Sequence, residues 1–168
     1  MCVDTIKLVI KIRESRGKGK IMVKIPTRVM LVDDEKDFVE MLSLRLKEIG
    51  EEVFIAHTGQ EGLQSLEKNQ TDVVILDIKM PGMDGIQTLK QIRQQFPLIE
   101  VILLTGHGST ETAIQGMKLG AYDYLLKPAD FDDLVGKLEG ARKRKDEQEE
   151  RIRAAEARFL LRRSGGAF

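Results

Sequence analysis

Five short apolar runs punctuate the chain, at residues 29–32, 53–56, 73–76, 101–104 and 122–126. They are nearly continuous rather than alternating, the pattern of strands covered on both faces. Between them, apolar residues recur at helical spacing. Phe38, Leu42, Leu46 and Ile49 form one face, closed by Gly50. Leu63 and Leu66 follow Thr58-x-x-Glu61, a capping-box signature. Ile86, Leu89 and Ile92 form a third face that stops before Pro97. Ile114, Met117 and Leu119 follow a Ser109/Thr110 cap and end at Gly120. Leu134, Val135 and Leu138 follow Asp130 as a cap. Five strand–helix units within about 110 residues require right-handed crossovers and a parallel sheet with helices on both faces. The expected fold is a doubly wound, three-layer α/β domain.

The two ends break this rhythm. Residues 5–12 place Ile6, Leu8, Ile10 and Ile12 at period two, and a Gly/Lys-rich turn leads to a second run at 21–25. This reads either as a β-hairpin, which is marginal on its own in water, or as an upstream stretch brought in by start-site choice. Met22 is a natural beginning just before the first strand, and the second reading is preferred. From Lys137 to Arg163 the chain is highly charged and free of proline, so it should prolong the last helix. Gly140 weakens that helix by about 1 kcal/mol. Leu138, Ala141, Ile152, Ala155 and Phe159 fall on one heptad seam, interrupted by Lys145 and Gln148. A solvated helix is the simpler reading of it, and a short coiled coil with a partner is the other. The expected division is a basic extension at 1–27, a folded domain at 28–138, and a charged helical extension at 139–168.

Composition adds exclusions. With 168 residues, 42% hydrophobic and 32% charged, the chain suits one soluble globular domain with appendages. No stretch approaches the roughly 18–20 apolar residues of a membrane span. The single cysteine, Cys2, excludes an internal disulfide and a multi-cysteine zinc site. A reducing cytoplasm is expected. The net charge of zero hides segregation: residues 1–28 carry +6, residues 137–168 carry +4, and the middle carries −10. An acidic domain suits cations or basic partners rather than nucleic acid.

In an open α/β sheet, ligands bind at the carboxyl ends of the strands. The first strand ends in Asp33 and Asp34, the third in Asp77, the fourth in Thr105 and the fifth in Lys127-Pro128. One strand-end acid is an ordinary cap. Three acids on two strands, with a hydroxyl and an ammonium on two more, converge on one edge if the first and third strands are neighbours. Packed carboxylates raise one another's pKa, and a hard divalent cation relieves this. Mg²⁺ fits, because it takes oxygen ligands and binds beside phosphoryl groups. Lys127 brings a compact charge for a phosphoryl oxygen, and Thr105 a hydroxyl donor. Asp77 precedes a glycine-bracketed loop, 78–85, which leaves room at the strand tip. A carboxylate there can accept a phosphoryl group as an aspartyl phosphate.

The motifs V-M-L-V-D-D-E, V-V-I-L-D-I-K-M-P-G-M-D-G, L-L-T-G-H-G and G-A-Y-D-Y-L-L-K-P occur in this order. With them the chain, from about Arg28 to Leu138, resembles the receiver domain of bacterial two-component response regulators. The resemblance implies a flavodoxin-like sheet of order 2-1-3-4-5. It implies that Asp77 accepts a phosphoryl group from a histidine kinase or phosphotransfer protein. It implies Mg²⁺ held directly by Asp34, Asp77 and the backbone carbonyl of Lys79, with Asp33 acting largely through water. Thr105 and Tyr124 would be the switch pair, Lys127 the phosphate-binding lysine, and Lys127–Pro128 a cis bond. Partners would meet the fourth helix, fifth strand and fifth helix, with a homodimer among the options. The stretch around His107 most resembles receivers attached to sigma-54-type activators. After Pro128, however, no ATPase or helix-turn-helix pattern follows, and direct nucleic-acid binding is not expected.

The two histidines are weaker signals. His107, two residues past Thr105, is either a tuner of phosphoryl lifetime, as the resemblance implies, or exposed loop polarity. His57 precedes a helix cap and is expected to be structural or solvated. A haloacid-dehalogenase-type hydrolase would want a second aspartate two residues after Asp77, and that position is Lys79. The chain is therefore expected not to be an enzyme beyond taking up a phosphoryl group on itself and slowly losing it.

Overall fold

A computed structural model describes residues 24–164. The question of a hairpin or an upstream stretch at 1–21 lies outside them, as do residues 165–168. The described elements are β1 (Arg28–Val32), α1 (Lys36–Glu48), β2 (Glu52–Ala56), α2 (Gly59–Lys68), β3 (Val73–Leu76), α3 (Gly85–Gln95), β4 (Glu100–Thr105), α4 (Thr110–Lys118), β5 (Asp123–Leu126) and α5 (Phe131–Ser164). All four strand pairings are parallel and the order is β2-β1-β3-β4-β5. The expected doubly wound fold is present.

The continuous apolar runs are explained by what covers them. Met30, Val32, Val74, Leu76, Val101 and Leu103 face one side, where Leu63 and Leu66 of α2 and Ile86, Leu89 and Ile92 of α3 pack. The intervening Val29, Leu31, Val73, Ile75, Ile102 and Leu104 face the other side, against Val39, Leu42 and Leu46 of α1 and Leu134, Leu138 and Ala141 of α5. Period-two alternation thus serves two cores rather than a core and a solvent face.

Local signals set the boundaries. The Thr58 hydroxyl accepts from Glu61 N–H at 3.1 Å, and Glu61 returns a bond to the backbone N–H of His57 rather than of Thr58. Ser109 and Thr112 form a reciprocal capping box at α4. Asp130 accepts from Asp133 N–H at 3.0 Å at the start of α5. Gly50 and Gly120 follow α1 and α4 at φ 90° and 92°, left-handed geometry that glycine adopts without steric cost.

Helix α5 is 34 residues long, about 50 Å at 1.5 Å per residue. Its inner face is buried through Lys145, and every residue from Glu150 to Arg163 is exposed. The heptad seam therefore divides. Leu138 and Ala141 are fully buried in this domain's own core and are not free for a partner, because core packing and coiled-coil packing use the same spacing. Ile152 and Phe159 lie on the exposed part.

The opposite edge of the sheet carries buried acids. Asp72 is fully buried and pairs with Arg28, Arg142 and Lys145. Glu100 is fully buried between Arg93 and Arg144. Three of these cations belong to α5, so the base of the long helix is fastened to the starts of β3 and β4.

Candidate functional site

The sheet order places the carboxyl ends of β1, β3, β4 and β5 side by side. Asp33 follows β1 and is 4% exposed; Asp77 follows β3 and is 5% exposed; Thr105 ends β4 and is fully buried. Lys127 follows β5 and swings across the edge. Its Nζ donates to Asp33 Oδ2 at 2.6 Å and to Glu35 Oε1 at 2.9 Å, and lies 4.0 Å from the centre of the Phe38 ring. The Lys127–Pro128 bond is cis.

Backbone geometry holds each acid. Asp33 accepts from Glu35 N–H at 2.9 Å. His57 Nδ1 lies 3.2 Å from the Asp33 carbonyl, so His57 braces the β1 tip from β2. Asp77 Oδ1 accepts from Ile78 N–H at 2.8 Å. The loop after Asp77 closes when Gly85 N–H donates to the Ile78 carbonyl at 2.8 Å. A Cβ on Gly85 would collide with the backbone oxygen of Asp77 and Cα of Ile78, so glycine alone permits this approach. Asp84 caps α3 by accepting from Gln87 N–H at 2.8 Å.

Charge in the site is unevenly balanced. Burial pushes the Asp77 carboxyl above the usual carboxylate range. A hydrogen bond from Thr105 opposes this, Asp33 adds to it, and the charge of Lys127 opposes it. Burial alone would lower the Lys127 ammonium, but bonds to Asp33 and Glu35 outweigh it and the pKa is raised. Asp33, Glu35 and Asp77 each bring a carboxylate oxygen within 4.8 Å of the others. This concentration of hard oxygen donors fits a divalent cation such as Mg²⁺.

Four of the residues singled out in the sequence come together here: Asp33, Asp77, Thr105 and Lys127. Asp34 is exposed beside them, and Lys79 is exposed on the following loop. Asp34 does not share the 4.8 Å cluster; Glu35 does. Glu35 was not anticipated. The signal for it was the third acid of the D-D-E run, but an N-cap position gives no hint that its side chain crosses to Lys127. His107 is exposed, and its backbone N–H donates to the Thr105 hydroxyl at 3.3 Å.

The Tyr124 hydroxyl is buried without a hydrogen-bond partner among the described residues and lies where a Cβ on residue 108 would be. Gly108 has none, so the ring can tuck under the loop before α4.

Residues 29–139 match the family model described as "Response regulator receiver domain". The chain is 40% identical over 113 residues to the transcriptional regulatory protein ZraR of Escherichia coli, covering 67% of this chain and 26% of that protein. It is 40% identical over 107 residues to the regulatory protein AtoC of the same species, covering 64% and 23%. It therefore spans about a quarter of the length of these curated relatives. Among solved structures, it is similar to a response regulator receiver domain protein from Clostridium thermocellum: TM-score 0.68, 38% identity, covering 71% of this chain and 97% of that one. It is also similar to NtrX from Brucella abortus, with TM-score 0.71 and 30% identity, covering 77% of this chain and 30% of that one.

Proposed function

The chain belongs to the response regulator receiver family, and from that premise we propose that it is a phosphoryl-accepting switch whose acceptor is Asp77. The observation that carries the reading is a buried carboxylate with raised pKa at the tip of a central strand. It is approached by Thr105 and bordered by an ammonium that does not ion-pair with it among the described residues. An Asp77 oxygen attacks the phosphorus of a phosphohistidine on a kinase or phosphotransfer protein. The P–N bond breaks and its electron pair stays on nitrogen; with a proton on the other ring nitrogen, the imidazole leaves neutral. Lys127 neutralises phosphoryl oxygens and Thr105 donates to one. Mg²⁺, held by Asp34, Asp77 and the Lys79 carbonyl with Asp33 through water, would supply the remaining positive charge. The phosphoryl group is later lost to water. No other substrate is turned over, so the chain is a signalling module rather than an enzyme in the ordinary sense.

Among the described residues no helix is long and apolar enough to cross a membrane. Membership of the receiver family supports a cytoplasmic site of action. Its output face is formed by α4, β5 and α5. Exposed Ile114 and Met117 on α4 and Leu126 on β5 support docking of a downstream protein or of a second copy there.

The switch follows from Thr105 and Tyr124. A buried hydroxyl without a partner costs about 1–3 kcal/mol, so the tucked Tyr124 ring is only one side of a balance. A phosphoryl group on Asp77 adds up to about two negative charges and draws in the Thr105 hydroxyl by a charge-assisted bond. That holds the β4 tip in the form that accommodates the tucked ring. A bond of about 1.5–3 kcal/mol shifts the populations roughly 10- to 100-fold. Thr105→Ala is therefore expected to accept phosphoryl at Asp77 yet lose most phosphorylation-dependent association. Sedimentation with and without acetyl phosphate measures this. A variant that associates as strongly as wild type on phosphorylation contradicts the switch.

A further inference from the structure

Lys127 is committed in the resting chain to two carboxylates that differ in character. Its side chain is 10% exposed, that of Asp33 is 6% exposed, and that of Glu35 is 59% exposed. A third side of the ammonium is closed by the Phe38 ring. Glu35 occupies the N-cap position of α1, where a side chain normally bonds to its own helix, but it makes no such bond. Its carboxylate is spent on Lys127, across the sheet edge and 92 residues away in the chain.

A phosphoryl group on Asp77 would need Lys127, and the ammonium must then give up one partner. Asp33 is buried, and leaving it unpaired is costly. Glu35 is half in water and can be re-solvated cheaply. The partner released is therefore Glu35, and its charge remains at the mouth of the site. We infer that Glu35 is a positioning residue for phosphoryl transfer at Asp77: it holds Lys127 in a resting place and slows the entry of anionic phosphodonors. This rests on the reading of Asp77 as acceptor.

Glu35→Gln preserves shape and removes the charge. The test compares initial phosphorylation rates across donor concentrations, using acetyl phosphate, a dianion, and phosphoramidate, whose ammonium offsets one charge. A second readout is the ¹⁵N resonance of the Lys127 ammonium without donor. The Glu35 charge at roughly 8 Å from the donor in water predicts a rise of about fivefold with the subsaturating acetyl phosphate dianion and about twofold with phosphoramidate. Added salt should shrink both. The Lys127 ammonium protons should exchange faster with water in the variant. Equal factors for the two donors, or unchanged rates, overturn the inference while leaving Asp77 as acceptor. A wild type that takes up phosphoryl from neither donor defeats the Asp77 reading instead. The Lys127 resonance then decides the resting contact, and an unchanged resonance overturns that as well.

Discussion

Asp72→Ala is expected to lower the free energy of unfolding by about 3 kcal/mol, toward the lower end of what breaking a buried ion pair costs. The carboxylate is fully buried. It accepts from Arg28 backbone N–H at 2.9 Å and from the Arg28 guanidinium at 3.0 and 2.7 Å. It also accepts from Arg142 at 2.7 Å, and Lys145 Nζ lies 3.2 Å away. Alanine removes the anion and leaves three cations together. Those cations reach water in part, which is why the lower end applies. Burial pushes the Asp72 carboxyl up, but the bonds from Arg28 and the charge of Arg142 outweigh it, and its pKa is lowered. A lowered pKa contributes stability above the unfolded value, near pH 4, which is lost as pH falls through the folded value beneath it. Urea titrations should thus show a gap between wild type and variant at neutral pH that closes in acid. A gap that does not narrow at all as the pH is lowered through the acid range contradicts the assignment. Hydrogen exchange in α5 near Arg142 should rise in the variant, since its tether to β3 is cut.

Asp34→Ala is expected to weaken Mg²⁺ binding about 10- to 100-fold, the effect of losing one charged ligand worth about 1.5–3 kcal/mol. The reason lies in who is already occupied. Asp33 and Glu35 are both held by Lys127. The acids left to meet a cation are Asp77 and Asp34, and Asp34 stands exposed at the rim, able to turn inward. Calorimetric titration with MgCl₂ measures this. An Asp34→Ala protein that binds as tightly as wild type would move the ligand role to Glu35, the acid that shares the cluster with Asp33 and Asp77.

The strands were legible because a strand buried on both faces leaves a continuous apolar run. Their polar ends were not. Arg28 pairs with Glu52, and Glu100 with Val73, so hydrogen bonding carries the ladder past the apolar residues. The convergence of Asp33, Asp77, Thr105 and Lys127 was legible because strand ends share an edge once the order is given. Glu35 was not, because its partner arrives from the far end of the sequence. Asp72 and Glu100 look like solvated acids at strand starts. They become buried only because Arg142, Arg144 and Lys145 return along α5. That return also explains Lys145 in the heptad seam: it interrupts a coiled coil because it completes an ion cluster. The placement of Tyr124 depends on a missing Cβ at Gly108, a cue that spacing alone does not weigh.

The central claim is that Asp77 takes the phosphoryl group. Wild type and Asp77→Asn should each be incubated with acetyl phosphate and MgCl₂, then analysed by intact mass and by peptide mapping of the adduct, an acyl phosphate labile to acid and to base. The account predicts one phosphoryl group per wild-type chain, confined to the peptide that contains Asp77, and none in Asp77→Asn. Stoichiometric label in Asp77→Asn, or wild-type label mapped to another residue, contradicts it.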